Sequence, residues 1–523
     1  MLFRSIENTL NYKKTFRKHN LSALAGYSAQ KERDEATFMS GIFPNDLVQT
    51  FNSSVTPTTF QTSINEWSLI SYLSRIQYSF AGKYLLTGTI RADGSSRFGL
   101  NNKFGYFPSV SAGWIVSEEN FLKNSKAISS LKLRASYGVS GNFKIGNYEP
   151  VARLVADNYV FGVNEGTQNV GFRPTNAENN KLGWEKTQQI DVGVDASFFQ
   201  NKLNLTVDYY NSNTSDLLLN LPVPEISGFS FLRQNIGKVN NKGLEITVSS
   251  NHQLGALKMN NSINYSTNKN VVTDLGGLSQ LPLVNLAGGL SYITKVGEPI
   301  GSYFTLVKEG VYSQAQIDDP TIPKAPNSAA GDFRFKDVNG DGKIDTNDKD
   351  IVGNYAPDFT FGFSSNLEYK NFDFSLSLQG VQGNEVVNLN KRHYDSGESF
   401  GGNSITVLNR WISDAQPGDG QTARANRNQT GLSSSTSTYH VEDASYVRIR
   451  SITLGYKIPS TITKKLNISN ARIYVSTVNP YTFTKYSAYN PETSNSNDPQ
   501  QPGTDYGTYP LAKSYTLGLH INF

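Results

Sequence analysis

The feature of this sequence that most restricts its fold is an alternation of apolar and polar residues with a period of two, repeated along most of the chain. In the last segment the apolar residues occupy every second position: Tyr515, Leu517, Leu519, Ile521 and Phe523. Successive side chains of a β-strand point to opposite faces of the sheet, so such a strand has one apolar and one polar face. The pattern therefore predicts an all-β chain.

Two features favour an antiparallel transmembrane β-barrel over a soluble β-sandwich, whose strands also alternate. Many of the alternating segments run for about 10 to 14 residues, whereas strands of globular proteins have about 5 to 6 and a tilted membrane strand needs about 9 to 11. The connections between the segments also alternate between short and long. In outer-membrane barrels the short turns face the periplasm and the long loops face the outside.

Fifteen strands are predicted in this way. They are 3–15, 21–31, 66–80, 84–93, 106–118, 131–141, 184–199, 203–213, 235–250, 256–270, 358–369, 372–384, 443–458, 471–485 and 510–523. Segment 302–312 also has strand character. We assign it to the long connection 271–357, because counting it would place a short turn on the wrong side of the membrane.

The odd strand count carries its own prediction. A complete barrel of this kind has an even number of strands, with both chain ends in the periplasm. We therefore expect residues 1–523 to be the C-terminal part of a larger barrel, without a plug domain or a signal peptide. The first and last strands would run in the same direction with unpaired backbone groups, so we expect an open, curled sheet that does not fold alone.

Composition excludes several kinds of function. The chain has no Cys, which excludes a disulfide framework, thiolate zinc sites and cysteine catalysis. A net charge of +4 spread over 523 residues argues against a nucleic-acid partner. The five histidines are scattered, and no pair of carboxylates is placed for glycoside hydrolysis. We therefore predict a protein that is not an enzyme and has no catalytic cofactor.

One sequence match to a catalytic motif is weak. Residues 397–401 read Gly-Glu-Ser-Phe-Gly, the pattern of a nucleophile elbow. That motif requires a buried strand before the serine and a helix after it. The flanking residues are polar on both sides, so we interpret the match as part of a loop.

A calcium-loop motif is the sharpest local signal. Oxygen-bearing residues follow the order of a twelve-residue calcium loop, with a glycine at position 6, within the predicted extracellular loop 313–357. The predicted donors are Asp337, Asn339, Asp341, the Lys343 carbonyl, Asp345 and Asp348. The flanks do not read as two helices, so we predict an isolated structural site for Ca²⁺ or a similar hard cation. The alternative is an Asp/Asn/Gly turn without an ion.

The chain ends in an aromatic residue on the apolar side of its last strand. Barrels of the bacterial outer membrane commonly end in this way, and the insertion machinery reads the terminal residues. We therefore predict an insertion signal formed by Tyr515, Leu517, Leu519, Ile521 and Phe523. The alternative is an edge strand that happens to end in Phe.

A set of motifs runs along most of the chain, at 93–99 with 102–109 and 113–114, 131–142, 182–187, 208–210, 214–218, 337–348, 357–363, 443–448, 453–456, 489–492, 509–510 and 515–523. Together these motifs resemble one family, the SusC/RagA-type TonB-linked outer-membrane transporters of Bacteroidetes. Family members are about twice as long, and the stretch 409–418 matches the family only loosely. The family barrel resembles the 22-stranded plugged transporters, so fifteen strands would leave seven upstream.

The resemblance implies energy-dependent import of large nutrients, oligosaccharides or peptides, across the outer membrane. It implies a SusD-like surface lipoprotein as partner, and the TonB complex acting through an N-terminal part absent from this sequence. The fragment would contribute lipid-contacting wall and extracellular loops. A passive outer-membrane porin and a soluble β-rich glycan-binding protein remain as alternatives, as does a purely structural surface protein. A plug-encoding frame upstream would argue against the porin.

Overall fold

The computed structural model describes the chain except for residues 48–49, 52–54, 162–165, 230, 287, 397–401, 427–431, 433–434, 495, 497 and 499. The first twelve strands are β1 (Leu2–Phe16), β2 (His19–Ile42), β3 (Thr56–Phe80), β4 (Tyr84–Ser95), β5 (Phe104–Ile115), β6 (Ile128–Asn142), β7 (Leu154–Phe161), β8 (Thr167–Pro174), β9 (Glu185–Phe198), β10 (Leu203–Pro222), β11 (Phe231–Leu254) and β12 (Leu257–Ser266).

The remaining strands are β13 (Lys269–Leu275), β14 (Val284–Asn285), β15 (Ser291–Ile293), β16 (Ser302–Leu306), β17 (Lys308–Val311), β18 (Phe333–Phe335), β19 (Lys349–Gly353), β20 (Phe359–Tyr369), β21 (Phe372–Gln382), β22 (Glu385–Asn388), β23 (Val441–Asp443), β24 (Tyr446–Lys457), β25 (Asn470–Thr484), β26 (Thr504–Asp505) and β27 (Ser514–Asn522). The helices are short: α1 (Gln314–Asp318), α2 (Lys391–Tyr394), α3 (Ser460–Thr463), and 3₁₀ turns at Val116–Glu118, Glu225–Ser227, Ile405–Asn409, Thr438–His440 and Lys464–Leu466. None of these helices has the length and apolar character needed to cross a membrane.

The long strands form one sheet in the order β1-β2-β3-β4-β5-β6-β9-β10-β11-β12-β20-β21-β24-β25-β27, with β13 paired to β11 as the sixteenth strand. The pairs from β1 to β6 and from β11 to β27 are antiparallel. Each of the fifteen predicted strands corresponds to one strand of this order. The all-β, antiparallel assignment is therefore confirmed.

The chain divides into two compact units. The first contains residues 1–120, 132–192 and 212–238, and the second contains 121–131, 193–211 and 239–523. Each unit combines strands of the large sheet with the connections that pack on those strands.

The segment 32–65, which separates the predicted strands 21–31 and 66–80, is mostly strand and not a long connection. β2 and β3 pair beyond the predicted limits, as far as Ile42 opposite Thr56. Ion pairs lie where this extension begins, with the Glu66 carboxylate 3.2 Å from both the Lys31 amine and the Arg33 guanidinium. Both faces of the extension carry polar side chains. The apolar alternation by which the strands were recognised is therefore lost there, although the ladder continues.

Two further differences concern the segments between the long strands. The predicted strand 256–270 is divided into β12 and β13. Segment 302–312 lies outside the large sheet, as predicted, but it forms β16 and β17 in two small sheets. Strands this short contain only two or three residues on each face, which is too few for the alternation to be recognised.

The register of the second unit aligns its apolar residues into continuous rows. Leu519 lies opposite Ile473, which in turn lies opposite Tyr456, Phe372 and Tyr369 on successive strands. Residues directly opposite in an antiparallel pair share one face of the sheet. All five side chains are at least 38 % exposed, so this face lacks protein cover over five adjacent strands. An extended bare apolar face of this kind is suited to contact with lipid.

The long connections of the second unit build cores of their own. One core is formed by Leu290, Tyr292, Tyr303, Val387 and Leu389. A neighbouring core is formed by Leu306, Ala325, Phe333, Phe335 and Ile344. Small sheets frame both, namely β14-β15-β16-β19, β17-β18 and β23-β22-β26. The connections are therefore a folded layer, because they bury enough apolar surface to offset the entropy of ordering them.

The first unit has a similar core at the ends of its strands. Leu69, Phe98, Phe107, Leu182 and Trp184 are all at least 93 % buried. The Trp184 indole donates to the Lys103 carbonyl at 2.9 Å, so its polar atom is satisfied within the core. This contact attaches the connection that precedes β9 to the start of β5.

Candidate functional site

A row of aromatic rings follows the short turns of the first unit. Phe16 stacks on His19 with ring centroids 4.9 Å apart, and His19 lies 4.9 Å from Phe80. Phe80 lies 6.3 Å from Tyr84, which lies 6.5 Å from Trp114. Rings of this kind form the girdles of membrane barrels, where their apolar bodies and polar tips match the membrane–water boundary. This aromatic row marks the turn end of β1 to β5 as the membrane interface.

Glu119 ties the row to the turn that follows β5. Its carboxylate accepts hydrogen bonds from the Tyr84 hydroxyl at 2.7 Å and from the Trp114 indole at 3.2 Å. The Lys83 amine lies 3.0 Å away and donates to the second carboxylate oxygen. The hydrogen bonds from Tyr84, Lys83 and Trp114 lower the pKa of Glu119.

The residues of the predicted insertion signal lie at the end of the strand order. Leu517 and Ile521 of β27 lie opposite Val475 and Ala471 of β25. The four signal residues within β27 share one face, and Phe523 follows the strand with 90 % of its side chain exposed. Recognition by an insertion machinery stays a prediction.

The predicted calcium loop folds as a turn closed by its own carboxylates. The two Asp337 oxygens accept the backbone N–H groups of Gly340 at 2.7 Å and Gly342 at 2.8 Å. Both glycines have positive φ, at 75° and 81°, which a residue with a side chain adopts less readily. The bond from the Gly342 N–H contributes most to lowering the pKa of Asp337, and the bonds from the neighbouring backbone and from the Asp348 side chain add to it.

The other end of the turn is anchored by burial. Asp348 is fully buried and accepts the N–H groups of Val338 at 3.0 Å and Asp345 at 2.7 Å. Ile344, which lies between Asp337 and Asp348 in the turn, is fully buried in the core with Phe333. The two acids therefore hold the ends of the turn through backbone hydrogen bonds.

The six predicted donors are therefore brought into one turn. Within the part of the chain that the structure describes, however, no group of three or more acidic, His or Cys side chains is placed to hold a metal. The cation stays a prediction. The weak nucleophile motif, 397–401, lies outside the described residues.

The buried histidine His440 makes contacts that serve the structure of the protein. His440 is 3 % exposed, and its ring Nδ1 accepts the Ser437 N–H at 3.2 Å. Burial lowers the pKa of His440 to about 3, with the positive charge of nearby Lys391 adding to the effect. The ring is therefore neutral at physiological pH.

The layer of connections in the second unit encloses a cleft of about 830 Å³. The described residues that line it come from 388–395, 404–406, Glu442 of β23, 487–489 and 507–510. Its volume lies within the range of about 300 to 1,000 Å³ that is usual for small-molecule sites. We refer to it as the tyrosine cleft, because Tyr394, Tyr489 and Tyr509 contribute its aromatic lining.

These tyrosines present their rings to the outside. Tyr394 is 49 % exposed, Tyr489 is 78 % exposed and Tyr509 is 88 % exposed. Rings that are this exposed add little to the protein core, whereas they offer a rigid apolar surface with a polar tip to a ligand. The sequence indicates only that loop aromatics are abundant, and it does not identify the three that share this cleft.

The charged groups in the lining are held by neighbouring protein groups. Glu442 accepts the backbone N–H and hydroxyl of Ser487 at 2.8 and 2.7 Å. The Lys391 amine donates to the Tyr439 carbonyl at 2.7 Å and lies 3.4 Å from Glu442. Asp395 accepts the hydroxyls of Thr406 at 2.6 Å and Tyr439 at 2.8 Å.

Buried polar contacts place the walls of the cleft. The Tyr486 hydroxyl donates to Asp505 at 2.7 Å and so joins the wall segments 487–489 and 507–510. Arg448 is 1 % exposed and holds the same wall, donating to Glu492 at 2.5 Å and to Asn490 at 2.9 Å. These contacts join residues distant in sequence, which explains why sequence patterns do not reveal the cleft.

Comparison with known proteins supplies the family. Residues 3–474 match the family model described as TonB dependent receptor-like, beta-barrel. The chain is 37 % identical over 530 residues to TonB-dependent receptor P3 of Formosa agariphila, covering 99 % of this chain and 52 % of that protein. It is 32 % identical over 475 residues to TonB-dependent receptor SusC of Bacteroides thetaiotaomicron, covering 87 % of this chain and 44 % of SusC.

Solved structures agree with these relatives. The RagAB peptide transporter superposes on all of this chain and 55 % of its own, with a TM-score of 0.81 and 25 % identity. The open-open state of the RagAB peptide importer superposes with a TM-score of 0.81 and 26 % identity, covering 54 % of that chain. The chain thus spans about half the length of the proteins it matches. It belongs to the TonB-dependent receptor-like β-barrel family, as a SusC/RagA-type protein of the outer membrane.

Proposed function

We propose that this chain forms part of the wall and the extracellular layer of an energy-dependent importer of large nutrients, either oligosaccharides or peptides. The observation that carries the proposal is the combination of a bare apolar sheet face with a folded layer of connections that contains the tyrosine cleft. A membrane wall needs the first feature, and recognition of a solute outside the membrane needs the second. Family membership supports both.

The proposal includes two partners. A SusD-like surface lipoprotein would deliver solute to the extracellular layer, and the TonB complex would supply energy. Support comes from the similarity to SusC and to the RagAB peptide transporter. The connections in the second unit have buried cores, so they would present a preformed surface to a lipoprotein.

The test is uptake by the native bacterium with this gene deleted and then restored. We expect deletion to abolish growth on one oligosaccharide or peptide source, and restoration to recover it. Loss of the proton-motive force should stop uptake by the restored strain, because TonB transmits that energy. Uptake that continues without the proton-motive force would instead identify a passive porin.

The partner is tested separately in the same strain. The restored, tagged receptor should co-purify with a lipoprotein that incorporates labelled palmitate. An uptake-competent receptor that purifies without any acylated protein would contradict the partnership.

The soluble glycan-binding alternative is disfavoured by the uncovered apolar rows through Leu519 and Phe372. Extraction of the receptor from cells without detergent would revive it.

The proposal for the turn 337–348 is a structural cation. The donors would be Asp337, Asn339, Asp341, the Lys343 carbonyl, Asp345 and Asp348. External calcium at millimolar concentration would fill even a site with a Kd of about 10⁻⁴ to 10⁻³ M. Calcium should protect residues 331–352 of the full receptor from protease, and Asp337→Ala should abolish that protection. Protection that a chelator does not change would reject the site.

A further inference from the structure

The two-residue turn between β1 and β2 carries a concentration of positive charge. Its residues are Arg17 and Lys18, and Lys14 lies two positions before the end of β1. All three side chains are exposed. Neither turn residue has an ion-pair partner among the described residues, whereas the Lys83 amine of the neighbouring turn lies 3.0 Å from Glu119. The β1–β2 turn therefore presents charge that this part of the protein does not neutralise.

The backbone of the turn does not require basic residues. Arg17 has a φ of 54°, in the left-handed region that glycine adopts more readily. A turn of the same length joins β11 to β12, and there Gly255 has a φ of 58°. Another joins β20 to β21, and there Lys370 has a φ of 52°. A long basic side chain in this conformation is unfavourable for the backbone, which points to a role outside the fold.

Neighbouring contacts fix the position of the turn. Phe16 and His19 flank it, pair across the hairpin and stack with their ring centroids 4.9 Å apart. The His19 Nδ1 atom is 2.7 Å from the Tyr78 hydroxyl. On the other side, the Ala81 N–H donates to the Lys18 carbonyl at 2.7 Å. The two charged turn residues are thus held directly beside the aromatic row.

Lys14 lies on the apolar face of β1. It shares that face with Tyr12 and Phe16, because alternate residues of a strand point to the same side, and it is paired with Leu21 of β2. A charge on a face that contacts lipid is costly unless a flexible side chain carries it to the headgroups. Phe16 lies about 7 Å further along the strand, at about 3.3 Å per residue, so the extended lysine reaches the level of the aromatic row.

The matching ligand is anionic and lies at the membrane surface. Aromatic girdles stand at the level of the lipid headgroups, and basic residues at that level attract headgroups with a net negative charge. A zwitterionic headgroup brings its own cation, so it gains less from the three positive charges. A soluble acidic protein would not account for the position of Lys14 on the lipid-contacting face.

We propose that the β1–β2 turn binds the headgroup of an acidic phospholipid in the periplasmic leaflet of the outer membrane. The Arg17 guanidinium matches the phosphate with its planar fork of donors, and Lys14 and Lys18 add point charges. Short turns of outer-membrane barrels face the periplasm, which assigns the leaflet. This lipid site goes beyond the import function and does not depend on which solute is carried.

The experiment uses the full-length receptor in phosphatidylcholine vesicles. The vesicles contain a trace of photoreactive phosphatidylglycerol, or of photoreactive phosphatidylcholine with the same acyl chains, and mass spectrometry locates the labelled peptides. The turn at Gly255 and Ala256 is the internal control, because its own residues are uncharged. We expect the ratio of phosphatidylglycerol to phosphatidylcholine labelling to be at least fivefold higher at 10–21 than at 250–260. About fivefold is the effect of a single basic side chain at a membrane surface.

Three variants make the test specific. Arg17→Asn/Lys18→Gly should abolish the enrichment; it introduces the Asn-Gly pair that tight turns favour, and the heat-modifiable band verifies folding. Arg17→Lys keeps the charge and should keep the enrichment. Lys83→Gln removes a lysine that is already paired with Glu119 and should leave the enrichment unchanged.

Three results would overturn the proposal. One is equal labelling of residues 10–21 by the two lipids, and another is enrichment that survives Arg17→Asn/Lys18→Gly. The third is binding of the receptor to purified peptidoglycan that requires Arg17 and Lys18 without any lipid enrichment, which would assign these charges to the cell wall. None of these results would affect the import proposal.

Discussion

Val475 offers the most direct test of the membrane wall. It is 55 % exposed on β25 and lies opposite Leu454 and Leu517 on the two neighbouring strands. It stands five residues after Asn470, where the strand begins. At about 3.3 Å per residue and a tilt of about 40°, it lies roughly 13 Å above that turn, near the middle of an apolar band about 25 Å tall.

Val475→Lys would therefore place a charge near the bilayer midplane. Such a substitution costs about 2 to 4 kcal/mol in membrane barrels, equivalent to a loss of about 30-fold to 900-fold in the folding equilibrium. The matched control is Ser476→Lys on the opposite face. The Ser476 hydroxyl is 2.8 Å from that of Thr453, so its loss costs about 0.5 to 1.5 kcal/mol.

The assay is the folding equilibrium of the full-length receptor in lipid vesicles against guanidinium, read from the heat-modifiable band on gels. We expect the folding midpoint of Val475→Lys to fall well below that of Ser476→Lys. Equal losses, or a larger loss for Ser476→Lys, would refute the assignment of the Val475 face to lipid. The comparison tests orientation and not charge alone, because both variants add the same lysine to adjacent positions.

Three other perturbations test the turns and the extracellular layer in the full-length receptor. Ile344→Ala should destabilise the 337–348 turn locally by about 2 to 5 kcal/mol, because Ile344 is fully buried. The control Ile405→Ala changes an 80 % exposed side chain and should have little effect. Hydrogen exchange of the turn's backbone amides measures the difference between the two variants. The folded-state pKa of Glu119 is lowered, so its contribution to stability is complete above the unfolded pKa and is lost as the pH falls through the folded value. Glu119→Gln should therefore remove an acid-dependent loosening of the contact between the turn at Lys83 and the turn at Glu119, measured by hydrogen exchange. Arg448→Met should expose 486–494 to protease by releasing Asn490 and Glu492, and unchanged resistance would show that another contact holds this wall.

The sequence alone determines the wall of this protein. Where one face of a strand meets an apolar environment and the other meets water, every second residue must be apolar, and the alternation records that requirement locally. This is why β1, β12 and β27 could all be located to within a few residues. The same principle explains why the alternation does not predict the strand residues 32–42 and 56–65. Both faces there carry polar side chains, and cross-strand pairing such as Arg33 with Glu66 maintains the ladder without an apolar period.

The turn 337–348 is determined partly by its local sequence and partly by tertiary packing. Its residue order predicts a tight loop, because Asp337, Gly340 and Gly342 satisfy local requirements of hydrogen bonding and backbone conformation. The burial of Ile344 against Phe333 is decided by tertiary packing. No local pattern distinguishes that isoleucine from an exposed one such as Ile405.

Only the tertiary structure decided the tyrosine cleft. Tyr394, Tyr489 and Tyr509 are separated by up to 115 positions, and each is an ordinary loop tyrosine when considered by itself. Their neighbourhood depends on the parallel pairing of β22 with β26 and on the anchors made by Arg448 and Tyr486. The same folding pairs Lys391 with Glu442, so that charges visible in the sequence are neutralised within the walls. The sequence determines which residues alternate along each strand because that requirement is local, whereas the cleft depends on contacts between distant segments, which only the folded chain brings together.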